Sequence, residues 1–170
     1  SGRNLLPLCI SDMEDSVLYA KQIKFVTVSR NGSYTEFAVI DDKGKLYTAG
    51  SSTSTCLGYE PSTEGDYTKF DCVNDKYSEL KDVKFEKVSV SGRTMTAIDS
   101  TGKVWTWGDV REKQTLGIST ESTDFTVGSA NCISPKQITA FGNTRIVDLD
   151  VTCITVSYTH LRAHETLANL

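Results

Sequence analysis

The chain has 170 residues, of which 38% are hydrophobic and 24% charged; that is enough apolar content to bury a core and too much for a disordered tail. Its 18 Lys and Arg residues against 22 Asp and Glu leave a net charge of −4, which disfavours a nucleic-acid binder that relies on bulk positive charge. No apolar run approaches the length of a membrane-spanning helix.

The chain opens on Ser1, with no basic stretch leading into an apolar one, so no signal peptide is read. Leu5-Leu6-Pro7-Leu8-Cys9-Ile10 is apolar without a preceding cap or turn. Residues 1–20 therefore read as the end of a unit that begins earlier. Val17–Lys24 reads as a lead-in to a strand rather than as a helical turn. Phe25–Ser29 is a short aromatic and β-branched run and predicts a strand. Asn31-Gly32-Ser33 fits a glycosylation acceptor, but Asn-Gly is a strong turn pair and the turn is favoured. Phe37–Ile40 predicts a second strand and Lys45–Ala49 a third. Asp42-Lys43-Gly44 between them is a tight turn in which Gly44 supplies the positive φ. Gly50 ends the third strand. Leu57-Gly58 follows, then a long, acidic, Ser/Thr-rich loop over Tyr59–Lys81.

The same order then recurs. Phe85–Val90 and Met95–Ile98 predict strands, Ser100-Thr101-Gly102 a turn, and Lys103–Trp107 a third strand ended by Gly108. In that strand Trp105 and Trp107 point to one face. Asp109-Val110-Arg111-Glu112-Lys113 follows, then Leu116-Gly117 and a second long loop over Ile118–Ser134. Phe25 matches Phe85, Gly32 matches Gly92, Gly44 matches Gly102, Gly50 matches Gly108 and Gly58 matches Gly117, all about 60 residues apart. A third copy starts at Arg145–Val151. Residues 20–155 show no convincing helical periodicity.

These signals predict an all-β fold. A small sheet of this size cannot close a core alone, and radial stacking of successive sheets buries both faces of each. A partial β-propeller of about two and a half blades follows, each blade a four-stranded antiparallel sheet. The expected division is 1–20 for the end of a preceding blade, 21–82 and 83–143 for two repeats, 144–155 for the start of a third, and 156–170 for a tail. The repeat motif residues are Gly44, Gly50, Gly58, Gly102, Trp105, Trp107, Gly108 and Gly117.

Ile98–Gly108, with Leu116-Gly117 and Ser134-Pro135-Lys136-Gln137-Ile138, resembles a regulator of chromosome condensation repeat. Ile40–Gly50 with Leu57-Gly58 resembles the repeat before it. The resemblance covers about residues 20–155 and implies a seven-bladed propeller of which this chain is a fragment. Two departures stand out. Such repeats often carry Gly-x-x-His in the second strand, and neither Gly32 nor Gly92 is followed by His. Ala49 stands where the motif prefers Trp.

Val156–Thr166 resembles the translation of a sequencing-library adapter, so 156–170 is expected to be non-native. His160 and His164 are spaced i, i+4 with Glu165 next to them, as in zinc sites. They are the 2 histidines of the chain, and both fall in that tail, so no His base or His ligand is assigned. The 5 cysteines include no Cys-x-x-Cys pair, which leaves a zinc or redox motif unsupported. Cys72 and Cys132 are expected at equivalent small buried positions of neighbouring blades, and the odd thiol count fits an intracellular, reducing compartment. The acidic stretch Glu60–Asp75 is interleaved with Lys69, Phe70 and Tyr67 and does not suggest a metal cage. No phosphate loop or nucleophile elbow is present. Catalytic, cofactor and metal residues are therefore none.

The expected function is a protein-interaction scaffold, not an enzyme, with another protein as partner. Asp109, Arg111, Glu112 and Lys113 form the candidate partner-binding loop, since binding residues sit on loops held by rigid strands. Trp105 and Trp107 are expected to fill the space between blades rather than to bind a ligand. The resemblance implies two alternatives: a guanine-nucleotide exchange factor for a small GTPase, or the propeller part of a multidomain ubiquitin ligase.

Overall fold

A computed structural model describes residues 14–31, 34–50, 57–60, 69–91, 94–109, 131–151 and 156–157. Turns over 14–20 lead into β1 (Ile23–Asn31), followed by β2 (Tyr34–Asp41), β3 (Leu46–Gly50) and β4 (Asp71–Cys72). Two short 3-10 helices, η1 (Asn74–Lys76) and η2 (Ser78–Leu80), connect to β5 (Phe85–Ser91), β6 (Thr94–Asp99), β7 (Val104–Asp109) and β8 (Asn131–Gln137). β9 (Asp150–Val151) pairs with β10 (Val156–Ser157), where the adapter-like segment begins. The first eight strands form two four-stranded antiparallel sheets, β1-β2-β3-β4 and β5-β6-β7-β8. This is the architecture of two propeller blades.

The β2–β3 and β6–β7 turns are built alike. Gly44 N–H donates to Asp41 O at 3.0 Å and Gly102 N–H to Asp99 O at 2.8 Å. Gly44 has φ +81° and Gly102 φ +84°, the left-handed residue that a three-residue hairpin loop requires. The carbonyl oxygen of each glycine then accepts a backbone amide near the start of the next unit. Phe85 N–H donates to Gly44 O at 2.8 Å, and Ile146 N–H to Gly102 O at 3.0 Å. The turns are thus the joints between successive units.

Those joints, with the strand register, fix which residues are equivalent. Ile23 sits opposite Asp41 and Phe85 opposite Asp99, while Phe25 sits opposite Ile40 as Lys87 does opposite Ile98. The match of Phe25 with Phe85 is therefore corrected: Ile23 is the counterpart of Phe85. The match of Cys72 with Cys132 is corrected as well. Cys72 lies opposite Tyr47, whereas Gln137 lies opposite Trp105 and Cys132 opposite Gly108. The long loops also carry more structure than expected. β4, η1 and η2 fall within 59–81, and β8 starts inside the second loop.

The main core lies between the two sheets. Ala38, Ile40, Leu46 and Val73 of the first unit, with Leu57 and Tyr59, pack against Phe85, Val88, Val90, Met95, Ala97, Trp105 and Trp107 of the second. A second cluster joins Ile98, Val104 and Ile138 to Ile146 and Leu149. A third joins Leu18 to Val39, Tyr47 and Cys72.

A Cβ on Gly44 would stand 2.9 Å from Lys84 Cβ, and one on Gly102 would collide with Arg145. Gly44→Ala and Gly102→Ala should each destabilise the full-length protein by at least about 1–2 kcal/mol, the cost of a left-handed non-glycine residue alone. Urea unfolding measures this, and unchanged midpoints would contradict the joint.

Candidate protein-interaction surface

The antiparallel topology sorts the connections between the two ends of each sheet. The glycine turns and the links between units lie at one end. The pairs Asn31–Tyr34 and Ser91–Thr94 and the strand ends Gly50 and Asp109 lie at the other. Asp109 is the last residue of β7, and its backbone pairs with Asn131 at the start of β8. The candidate loop thus springs from a paired strand end. Arg111, Glu112 and Lys113, with Gly117, lie outside the described residues, as do His160, His164 and the hairpin residue Gly32.

The strands next to Asp109 are packed into the main core. Trp107 is fully buried, and Trp105 is 9% exposed. Trp105 meets the Phe85 ring edge-on with centroids 6.4 Å apart. Gly58 approaches Trp107 so closely that a Cβ there would stand 3.2 Å from Nε1, and its φ of +83° is left-handed. The Leu57-Gly58 pair of the first unit is therefore a seal against the tryptophan of the second. Both tryptophans lie inside the core between the sheets.

Gly50 and Gly108 end their strands differently. Gly50 lies against the carboxylate of Glu36, which a Cβ would overlap, and Glu36 is buried. Gly108 has φ +124° and sits beside a bulge between Thr106 and Gly108 in the β7–β8 pairing. The extra residues of this irregularity lie on β8, between Cys132 and Lys136, opposite Trp107 alone on β7.

The organising polar residues were missed by sequence reasoning. Asp41 and Asp99 are each buried at the end of the second strand. Asp41 Oδ1 accepts from Lys43 N–H at 3.0 Å and Lys45 N–H at 2.8 Å, and Oδ2 accepts from the Tyr47 hydroxyl at 3.0 Å. Asp99 Oδ1 accepts from Thr101 N–H at 2.8 Å, Thr101 Oγ1 at 2.6 Å and Lys103 N–H at 3.1 Å, and Oδ2 from Trp105 Nε1 at 2.9 Å. Burial alone would raise the Asp99 carboxyl, but donors from Thr101, Trp105 and Lys103 outweigh it and hold the group below the ordinary carboxylate range. Burial and donation to Asp41 keep the Tyr47 hydroxyl protonated. The signal available in the sequence was the shared spacing of Asp, Gly and ring: Asp41, Gly44, Tyr47 and Asp99, Gly102, Trp105.

Asn74 is a third such residue. Its Oδ1 accepts from Leu46 N–H at 2.8 Å, and its Nδ2 donates to Leu80 O and Val83 O, both at 2.9 Å. It ties the start of β3 to the connection between the sheets. Burial pushes the Cys72 thiol up, away from the thiolate form. Among the described residues, no group of three or more His, Cys, Asp or Glu side chains is arranged to hold a metal ion, and no helix is long and apolar enough to cross a membrane.

No family model matches this sequence, and no curated protein matches it. Solved structures do. The chain is similar to human WBSCR16, with a TM-score of 0.58 and 16% identity over 81% of this chain and 30% of that one. It is similar to yeast RCC1 (Prp20), solved bound to Kap60, with a TM-score of 0.52 and 18% identity over 75% of this chain and 27% of that one. The fold is that of an RCC1-like β-propeller. A further structure of Prp20p from Saccharomyces cerevisiae, described with its binding to Gsp1p and histones, matches with a TM-score of 0.50 and 18% identity over 72% of this chain and 27% of that one. The chain spans less than a third of the length of each of these proteins.

Asp99 gives a pH dependence with a definite sign. Its carboxyl is more acidic in the folded chain than in the unfolded one, where it titrates near 4. Its contribution is complete at neutral pH and is lost as pH falls below about 4 through the folded value. Asp99→Asn should flatten that part of the stability profile and lower stability at pH 7 by about 2 kcal/mol, the scale of a hydrogen bond to a charged group. Urea midpoints between pH 7 and pH 3 test this; parallel profiles for the two proteins would contradict it.

Proposed function

We propose that this chain is part of a protein-interaction scaffold, in which stacked blades hold the loop at Asp109, Arg111, Glu112 and Lys113 against another protein. The observation that supports the reading is the position of Asp109, the paired last residue of β7, at the end of the sheets opposite the glycine joints. A loop mounted on rigid strands loses little order when it binds. The loop mixes both charge signs, which suits a complementary protein surface better than a polyanion. Prp20 bound to Kap60, and the binding of Prp20p to Gsp1p and histones, show that proteins of this fold engage other proteins. In this reading the chain contributes no catalytic residue and no cofactor.

A second reading has a specific observation in its favour. The resemblance implies a guanine-nucleotide exchange factor for a small GTPase, and the Gsp1p binding of Prp20p supports considering it.

One experiment separates the two. Affinity capture with the full-length protein should recover a stoichiometric protein partner, and Arg111→Glu/Lys113→Glu should weaken capture about tenfold or more through like-charge repulsion. If the partner is a small GTPase that releases nucleotide faster with the protein present, the second reading replaces the first. Full binding by the charge-reversed variant would remove the assigned loop.

A further inference from the structure

The end of the sheets that carries the glycine joints has a charge pattern of its own. Lys84 stands against Gly44 of the first turn, and its carbonyl oxygen accepts Ser100 N–H of the second turn at 2.7 Å. Arg145 stands against Gly102 of the second turn as Lys84 does against Gly44. Lys84 and Arg145 are equivalent residues, each just before the amide that a glycine carbonyl accepts. The turns themselves add Lys43 and Lys103. The order across this end is therefore Lys43, Lys84, Lys103 and Arg145, with turn and joint cations alternating.

All four are exposed, and among the described residues none of them makes an ion pair. Other lysines do: Lys45 pairs with Asp75, Lys76 with Asp71 and Lys87 with Asp148. The carboxylates of the turns do not offset the row. Asp41 and Asp99 are buried and already accept from backbone amides and rings. Asp42 is the one exposed acid of the two turns. A line of uncompensated positive charge thus crosses one end of a chain whose net charge is −4.

Cations held in one line repel each other and create a local potential that favours an anion. The geometry limits which anion fits. Packed sheets stand about 10 Å apart, so Lys84 and Arg145 repeat at about that spacing. An extended chain rises about 3.3 Å per residue, so acids three residues apart match one step of the row. The occupant must also be narrow. Asp75, Glu79 and Asp82 are exposed on the link that comes from the outer strand β4. They would repel the far strand of a nucleic-acid duplex or a broad anionic membrane surface, and leave room for a single acidic strand.

We propose that Lys43, Lys84, Lys103 and Arg145 form a second interaction surface, at the end of the sheets opposite Asp109, which takes an extended acidic segment of another protein with Asp or Glu at every third residue. The lysine ammonium groups and the Arg145 guanidinium donate charge-assisted hydrogen bonds to its carboxylates. The turns that carry them are held by the Gly44 and Gly102 joints, so little order is lost on binding. The proposal does not rest on the loop at Asp109.

The test measures binding of a fluorescein-labelled peptide of Glu-Ser-Gly repeats to the full-length protein by fluorescence anisotropy, in about 0.1 M salt, where charges more than about 10 Å away are screened. The peptide should bind, and its counterpart with Gln in place of Glu should not. Lys84→Gln/Lys103→Gln should weaken binding about tenfold or more. Lys76→Gln/Lys136→Gln, which removes as much charge off the row, should leave it unchanged. Failure of the parent protein to bind the Glu peptide would overturn the proposal, as would equal binding by the parent and the Lys84/Lys103 variant, or equal loss in both variants. Tighter binding of random-sequence duplex DNA or of phosphatidylserine vesicles would also overturn it, by assigning the row to a different polyanion. If Lys84→Gln/Lys103→Gln does not show the parent's thermal unfolding, Lys43→Gln/Lys103→Gln takes its place and the same outcomes decide.

Discussion

Each blade depends on one buried carboxylate. Asp41 and Asp99 stand where the second strand ends, and each accepts the backbone amides of the turn that follows. That satisfies N–H groups which burial would otherwise leave costly. The remaining oxygen holds the ring of the third strand, the phenol of Tyr47 or the indole of Trp105. One side chain therefore sets both the turn and the aromatic position. The consequence passes on to the next unit. The turn holds its glycine left-handed, and the glycine carbonyl receives a backbone amide from the start of the following unit.

The two units share this scheme and differ where it does not reach. The first hairpin is longer: β1 has 9 residues and β2 has 8, against 7 for β5 and 6 for β6. Asn74 braces the first unit with three hydrogen bonds, while Thr139, the corresponding residue after β8, is exposed. These differences lie away from the Asp–Gly turn. The turn can thus stay constant while hairpins and connections vary.

Strands and turns were legible in the sequence because their signals are local. Phe37–Ile40 and Val104–Trp107 carry β-branched and aromatic residues, and the glycine turns are marked by Asp42-Lys43-Gly44 and Ser100-Thr101-Gly102. Equivalence between units was less legible. Phe25 and Phe85 share an identity, but register follows the Asp position, and the first hairpin is longer on both strands, so Phe25 sits opposite Ile40 while Phe85 sits opposite Asp99. Cys72 and Cys132 align by spacing and not by pairing partner. β4 has only two residues, too few for a period of two to register. The anchoring of Asp109 follows from its pairing with Asn131 at the end of β7; the charges at Arg111 and Lys113 come from the sequence alone.

The joints between the units rest on the same carboxylate-centred turn. Hydrogen exchange measured by NMR on the full-length protein tests it most directly. The Trp105 indole N–H and the Thr101 and Lys103 amides should exchange together and slowly in the parent protein, and Asp99→Ala should accelerate all three while the Gly44–Phe85 joint stays protected. Fast exchange of the Trp105 indole in the parent, or unchanged protection of all three groups in Asp99→Ala, would contradict the account.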